Sequence, residues 1–226
     1  MTKQKQPINK VKTWKQWPMI VFWALALGAS TTLVRAAEVT IYQSASQIPK
    51  DLTAIQYFQI AVNHATVGNC EVAREATKRA INKDPNGPVG IRAKRYLASN
   101  IPKYPVPEDA ARQNGAGFDF IVKRKLDSAI AVLEDTIAEF PKFEWPYNNL
   151  ACAYIEKRDA RKAHAYAEKA LKINPEYANA WAVMANAYIL EGQYSSAKQC
   201  ALKAIEYDPQ NKTAAKMLQF VSRKIR

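Results

Sequence analysis

Three prolines, Pro141, Pro175 and Pro209, stand 34 residues apart, and each closes a segment patterned as a helix. A fourth, Pro85, ends a similar segment 56 residues before Pro141. A fixed period of this size describes a stack of one supersecondary unit repeated, in which each unit buries its apolar face against the next. It argues against a fold built around one central sheet, and it makes the unit, rather than the whole chain, the object to be read.

With each unit ending two residues after its proline, the units are 54–87, 110–143, 144–177 and 178–211. Large residues recur at unit positions 4, 7 and 11: Tyr57, Ile60 and His64; Tyr147, Leu150 and Tyr154; Trp181, Met184 and Tyr188. Those spacings share one face of a 3.6-residue helix. Small residues at position 8 (Ala61, Gly117, Ala151, Ala185) and position 20 (Ala73, Ala129, Ala163, Ala197) let two helix backbones approach closely. A short polar turn such as Glu191-Gly192-Gln193 divides each unit in two. Proline at position 32 lacks the amide hydrogen that would continue the second helix.

This pattern resembles the tetratricopeptide repeat, W-x2-L-G-x2-Y…A-x3-F…P, over residues 54–226. The resemblance implies an all-α fold: a right-handed superhelix, or solenoid, of helical hairpins, with about four repeats and a capping helix over 212–226. The chain departs from the family at Ala167 and Ala201, where an aromatic is usual, at Gln113, and at Thr136 in place of the small residue of position 27.

Residues 88–109 interrupt the period. The spacing of Ile91, Arg95 and Leu97 predicts a helix over 88–99, the first half of a unit whose second half is missing. Asn100-Ile-Pro-Lys-Tyr-Pro-Val-Pro107 then excludes a helix and favours extended, polyproline-like chain. We read it as a semi-rigid linker between one unit and the three that follow; a proline-rich docking peptide would have the same composition.

The N-terminus reads as an address. Residues 1–16 carry five lysines and no acid, Trp17 to Ala29 is apolar, and Val34-Arg35-Ala36 offers short residues where a signal peptidase cleaves. The sequence predicts a signal peptide over 1–36, cleaved after Ala36, and a lead-in over 37–53. The alternative is an uncleaved membrane anchor: Trp17 to Val34 lies near the lower length for spanning a bilayer, weakened by Ser30, Thr31 and Thr32. Either way the repeats are expected outside the cytoplasm, periplasmic or secreted.

Export alters the charge balance. The chain has 33 basic and 20 acidic residues, a net of +13. Six basic residues and no acid fall within 1–36, which leaves 27 against 20 and a net of +7. That is too mild to mark a nucleic-acid partner. Some of it clusters at two of the turns within units: Lys123, Arg124 and Lys125, then Lys157, Arg158, Arg161 and Lys162. These form a candidate basic edge for an anionic membrane surface or an acidic partner, with Asp127 and Asp159 partly neutralising it.

Little in the sequence suggests catalysis. His64 takes the position of Phe120, Tyr154 and Tyr188 and reads as a packing residue; His164 reads as a surface one. No metal-ligand spacing, phosphate-cradling loop or nucleophile elbow appears, so no metal, cofactor or enzymatic role is expected. Cys70, Cys152 and Cys200 make an odd count for an exported chain. They read as small, partly buried hydrophobes, and a bridge between Cys152 and Cys200 is not expected.

The resemblance implies where a ligand would lie. In the family the first helices line a concave groove that positions 2, 5, 6, 9, 12 and 13 face. Transferred by position, the peptide-binding candidates are Asn114, Phe118, Trp145, Asn148, Asn149, Asn179, Val183 and Asn186, with Lys216 and Arg223 from the closing helix. Amide side chains offer both a donor and an acceptor to a peptide backbone. Phe118, Trp145 and Val183 offer side-chain pockets, and the two cations suit a carboxylate. The sequence therefore predicts a non-enzymatic exported adaptor that binds a protein or peptide segment. The alternative is a membrane-tethered structural subunit that uses the basic edge.

Overall fold

The computed structural model describes residues 42–225, so the leader expected over 1–36 lies outside the described residues. Ten α-helices and one short 3-10 turn (Ala45–Gln47) make up the regular structure of the described chain, which contains no strand. They are α1 (Ala54–Thr66), α2 (Cys70–Lys83), α3 (Pro88–Asn100), α4 (Glu108–Val122), α5 (Leu126–Glu139), α6 (Glu144–Glu156), α7 (Ala160–Ile173), α8 (Ala178–Leu190), α9 (Tyr194–Tyr207) and α10 (Lys212–Lys224). The chain is an all-α helical-hairpin solenoid.

The small residues do what their spacing predicts. Ala61, Ala73, Ala129, Ala151, Ala163, Ala185 and Ala197 are fully buried at the contact between the two helices of their units. At Gly117 an added Cβ would lie 2.5 Å from the Leu133 side chain, so α4 and α5 are spaced for glycine. Thr136 is buried as well, and its hydroxyl donates to the Val132 carbonyl at 2.7 Å, which satisfies the polar group inside the helix.

Position 4 ties the last two units each to the one before. Trp181 Nε1 donates to the Pro175 carbonyl at 2.9 Å, and the Tyr147 hydroxyl donates to that of Pro141 at 3.2 Å. Tyr57 has no preceding unit. Its hydroxyl donates to the carbonyls of Pro49 (2.9 Å) and Lys50 (2.6 Å), so the lead-in stands where an earlier unit's tail would be. The lead-in is held further by the Tyr42 amide donating to His64 Nε2 at 3.2 Å and by Arg79 donating to the Ile48 carbonyl at 2.9 Å.

The helices form two stacks rather than one. Helices α1, α2 and α3 pack in sequence as a short stack; α4 through α10 pack in sequence as a long one. Sequence reading placed the first unit apart from the other three, joined by a linker. The structure shows that the short stack lies against the long one: α3 touches α8 and α9, and among the described helices α4 contacts only α5 and α6. The first hairpin is thus not a layer of the face made by α4, α6 and α8.

The seam between the stacks is polar. Arg74, buried on α2, donates to Glu176 at 2.6 Å and to the Ile101 carbonyl at 3.2 Å. Glu144 is fully buried; its Oε1 accepts from the Lys103 amide and from Asn174 Nδ2, both at 2.8 Å, and its Oε2 has no hydrogen-bond partner. Burial pushes the Glu144 carboxyl above the ordinary carboxylate range, against the opposing effect of its hydrogen bonds and of Arg74. Arg95 reaches Gln210 at 3.3 Å at the other end of the seam.

Candidate functional site

Within the long stack α4, α6, α8 and α10 touch one another in order, whereas α5, α7 and α9 do not touch each other. First helices are therefore more closely spaced than second helices, and the stack curves with the first helices on its inner side. Positions facing inward on these four helices make the candidate site.

The apolar groups sit mainly at its ends. On α4, Phe118 is 52% exposed and Val122 65% exposed. On α10, Phe220 is 43% exposed and rests edge-on against Tyr194, with ring centroids 6.2 Å apart. Val183 on α8 is half-buried against the core of α6, α7 and α8, as is Trp145 on α6, which also leans on Phe143. Trp145 is thus substantially a packing residue.

The asparagines divide into two groups. Asn114 and Asn148 are only 9% and 6% exposed, so they lie beneath the surface rather than on it. Asn149 Nδ2 donates to Asn114 Oδ1 at 2.8 Å, joining α6 to α4. Asn148 Oδ1 is buried without a partner. Asn179 and Asn186 are half-buried; Asn179 Oδ1 accepts from Asn211 at 3.5 Å. The inward face keeps fewer open amides than its sequence suggests, because neighbouring first helices are close enough to use two of them. Lys216 and Arg223 are exposed on α10.

The thiols are not reactive groups. Cys70 and Cys200 are buried, Cys152 is half-buried, and all three are free. Burial raises all three; the Cys152 thiol is pushed up to about 12, with Glu156 adding to the effect, and Cys200 to about 11. At neutral pH they stay protonated and un-nucleophilic. His164, expected at the surface, is half-buried and bonded to the Tyr188 hydroxyl at 2.9 Å. Among the described residues no cluster of three or more His, Cys, Asp or Glu could hold a metal ion, and no helix is long and apolar enough to cross a membrane.

The four turns within units share one geometry. In each, the amide at position 16 donates to the carbonyl at position 11: Asn69 to His64, Lys125 to Phe120, Asp159 to Tyr154 and Gln193 to Tyr188, all at 2.9 Å. Such a helix C-terminus needs a left-handed residue at position 15. That residue is Gly68 (φ 78°) and Gly192 (φ 73°) in two turns, but Arg124 (φ 56°) and Arg158 (φ 59°) in the other two. The arginine turns are the basic ones. They are tied to each other by Lys157 to Asp127 at 2.7 Å and by Arg124 to Glu156 at 3.6 Å. Lys162 lies 4.9 Å above the Tyr154 ring. Sequence reading named these cations but did not see that two of them stand at the glycine position, although both turns align with Gly68 and Gly192.

A family profile described as tetratricopeptide repeat matches residues 154–219. Among solved structures, the chain is similar to the Sgt2 tetratricopeptide domain from Aspergillus fumigatus, at 23% identity over 53% of this chain and 80% of that one, with a TM-score of 0.51. It is similar also to the first tetratricopeptide domain of human RPAP3, at 22% identity over 51% of this chain and 91% of that one, with a TM-score of 0.50. A comparison with curated proteins found no match.

Proposed function

We propose that this chain is a non-enzymatic adaptor of the tetratricopeptide-repeat kind whose concave face holds an extended peptide segment of a partner protein, a reading supported by the repeat profile over residues 154–219 and by the likeness in fold. The observation that carries the reading is the order of groups along that face. Exposed Phe118 and Val122 stand at one end and exposed Phe220 at the other, with half-buried Asn149, Asn179 and Asn186 between them. Apolar anchors supply most of the affinity of such a contact, and amides satisfy a bound backbone without regard to its sequence. Lys216 and Arg223 would favour an acidic residue or terminal carboxylate near α10.

A peptide-display selection against purified residues 37–226, followed by titration of the selected peptides, tests this. Among the described residues, Phe118 and Asn186 make no side-chain hydrogen bond or ring contact that their loss would leave unpaired. Phe118→Ala and Asn186→Ala should each weaken binding about five- to tenfold, the range expected for an interface anchor. Binding unchanged by both substitutions would sink the groove reading.

We propose further that the repeats act outside the cytoplasm, in envelope or secreted-complex assembly. The support is the basic, then apolar, then short-residue order of residues 1–36. Mass spectrometry of the native protein should find a chain starting at Ala37; one starting at Met1 would favour the tethered alternative.

A further inference from the structure

The two arginines in left-handed turns are unexplained by folding. At Gly68 and Gly192, the equivalent residues of the other two turns, an added Cβ would meet nothing within 4 Å, so a side chain is sterically tolerated there. The backbone conformation nonetheless favours glycine. Arg124 returns little in packing: its side chain is 84% exposed and its one ion pair, to Glu156, is long and open to water. Arg158 is exposed and has no ion-pair partner among the described residues.

The neighbouring charges follow the same arrangement. Asp127 and Glu156 are used to tie the two turns together, which makes the edge one strip. Lys123, Lys125, Arg158 and Arg161 are left facing water with no ion-pair partner among the described residues. Beside them stands Val122, exposed at the very end of α4. Cations flanking a protruding apolar residue suit the boundary between phospholipid headgroups and acyl chains better than they suit an acidic protein. Functional sites are where backbone strain is retained despite its cost to stability.

We propose that this edge docks the long stack onto a bilayer containing anionic phospholipid, with Lys123, Arg124, Lys125, Arg158 and Arg161 over the headgroup phosphates and Val122 at the interface. The five cations lie at the turns within units, outside the positions that face the groove, and Val122 is the one residue that the edge shares with the groove's end.

The test is vesicle co-sedimentation of residues 37–226, which contain the whole compact unit Ile41–Arg226. Vesicles of phosphatidylcholine alone are compared with vesicles of equal parts phosphatidylcholine and phosphatidylglycerol. The protein should partition onto the anionic vesicles only, and salt should release it. The double variant Arg124→Gly/Arg158→Gly should bind about thirty-fold less, from the usual gain per basic residue at an anionic surface, while its melting temperature stays level or rises. The variant Lys83→Ala/Lys172→Ala loses the same charge at the opposite ends of the helices and should bind as the parent does. Equal binding to both vesicle types, undiminished binding of the glycine variant, or equal loss in the control variant would each overturn the proposal. Capture by polyglutamate without capture by anionic vesicles would overturn it in favour of an acidic protein. None of these readings depends on a peptide in the groove, so this proposal and the adaptor function fail separately.

Discussion

In the short stack, α1 to α3, and the long stack, α4 to α10, the last described helix is in each case patterned as the first helix of a unit. At position 8, where the complete units carry Ala61, Gly117, Ala151 and Ala185, α3 carries Arg95 and α10 carries Gln219. A long polar side chain there does not allow the close backbone approach that Ala or Gly allows at this position in the other units. The two ends then diverge. The α10 end carries Gln219 and Phe220 exposed, whereas α3 turns Arg95 toward Gln210 and lies along α8 and α9. The same local departure leaves the face of one last described helix exposed and docks the other against the long stack.

The strongest way to break this comparison is to damage α3 and leave the long stack intact. At Gly90 an added Cβ would lie 1.6 Å from the Asp84 carbonyl oxygen, a backbone atom that cannot step aside. Gly90→Ala should cost about 3 kcal/mol or more, and calorimetry should resolve an early transition of the short stack ahead of the long one. A single cooperative transition at a lower temperature would mean that the stacks are one folding unit.

The seam is the next target. Glu144→Ala leaves the Lys103 amide and the Asn174 amide without their shared acceptor, at about 2–3 kcal/mol for buried donors. Arg74→Ala should cost about 2 kcal/mol, less than a fully buried pair would, because Glu176 is a third exposed and can be rehydrated. Urea melts of the two single variants and of the double variant would show whether the losses add. A shared seam predicts that they do not.

Acid sharpens the comparison further. Burial holds the Glu144 carboxyl above its unfolded value, so the folded state binds the proton more tightly than the unfolded one. The destabilisation is complete above the raised folded value and is relieved as pH falls toward about 4.5, the ordinary value for this carboxyl. Glu144→Gln should therefore stabilise the protein more at pH 7 than at pH 5, with urea melts at the two values as the check. An equal effect at both would show that Glu144 is ionised throughout.

The smallest effect belongs to the turns. Arg124→Gly and Arg158→Gly exchange about 1 kcal/mol of left-handed backbone strain for nearly as much glycine entropy. Each should shift stability by no more than about 0.5–1 kcal/mol, upward if at all.

How much of this was legible in the sequence depends on how local the cause is. Helix pairing, the small-residue contacts and the break after Asn100 follow from spacing within 34 residues, and spacing is what a sequence displays. The seam is different, because Arg74 and Glu176 are 102 positions apart and no period links them. One signal was present and missed: Glu144 occupies unit position 1, where Ala54, Ala110 and Ala178 stand in the other units. The candidate groove was half legible. Its helices could be assigned, but the burial of Asn114 and Asn148 depends on how closely α4, α6 and α8 pack, which is a tertiary distance.

The Lys103 amide, donated to buried Glu144, gives the seam a clock. Every other contact within either stack joins helices near in sequence, so each stack can assemble by short loop closures. The Lys103–Glu144 bond spans 41 residues, and the Arg74–Glu176 pair that joins the stacks spans 102, a closure about 2 kcal/mol dearer in chain entropy than a loop of ten. That step belongs late in folding and is the first to reverse. In native-state hydrogen exchange the Lys103 amide should accordingly open at a lower free energy than the amides inside α6 and α8, and its rate would count separations of the two stacks without any unfolding of either.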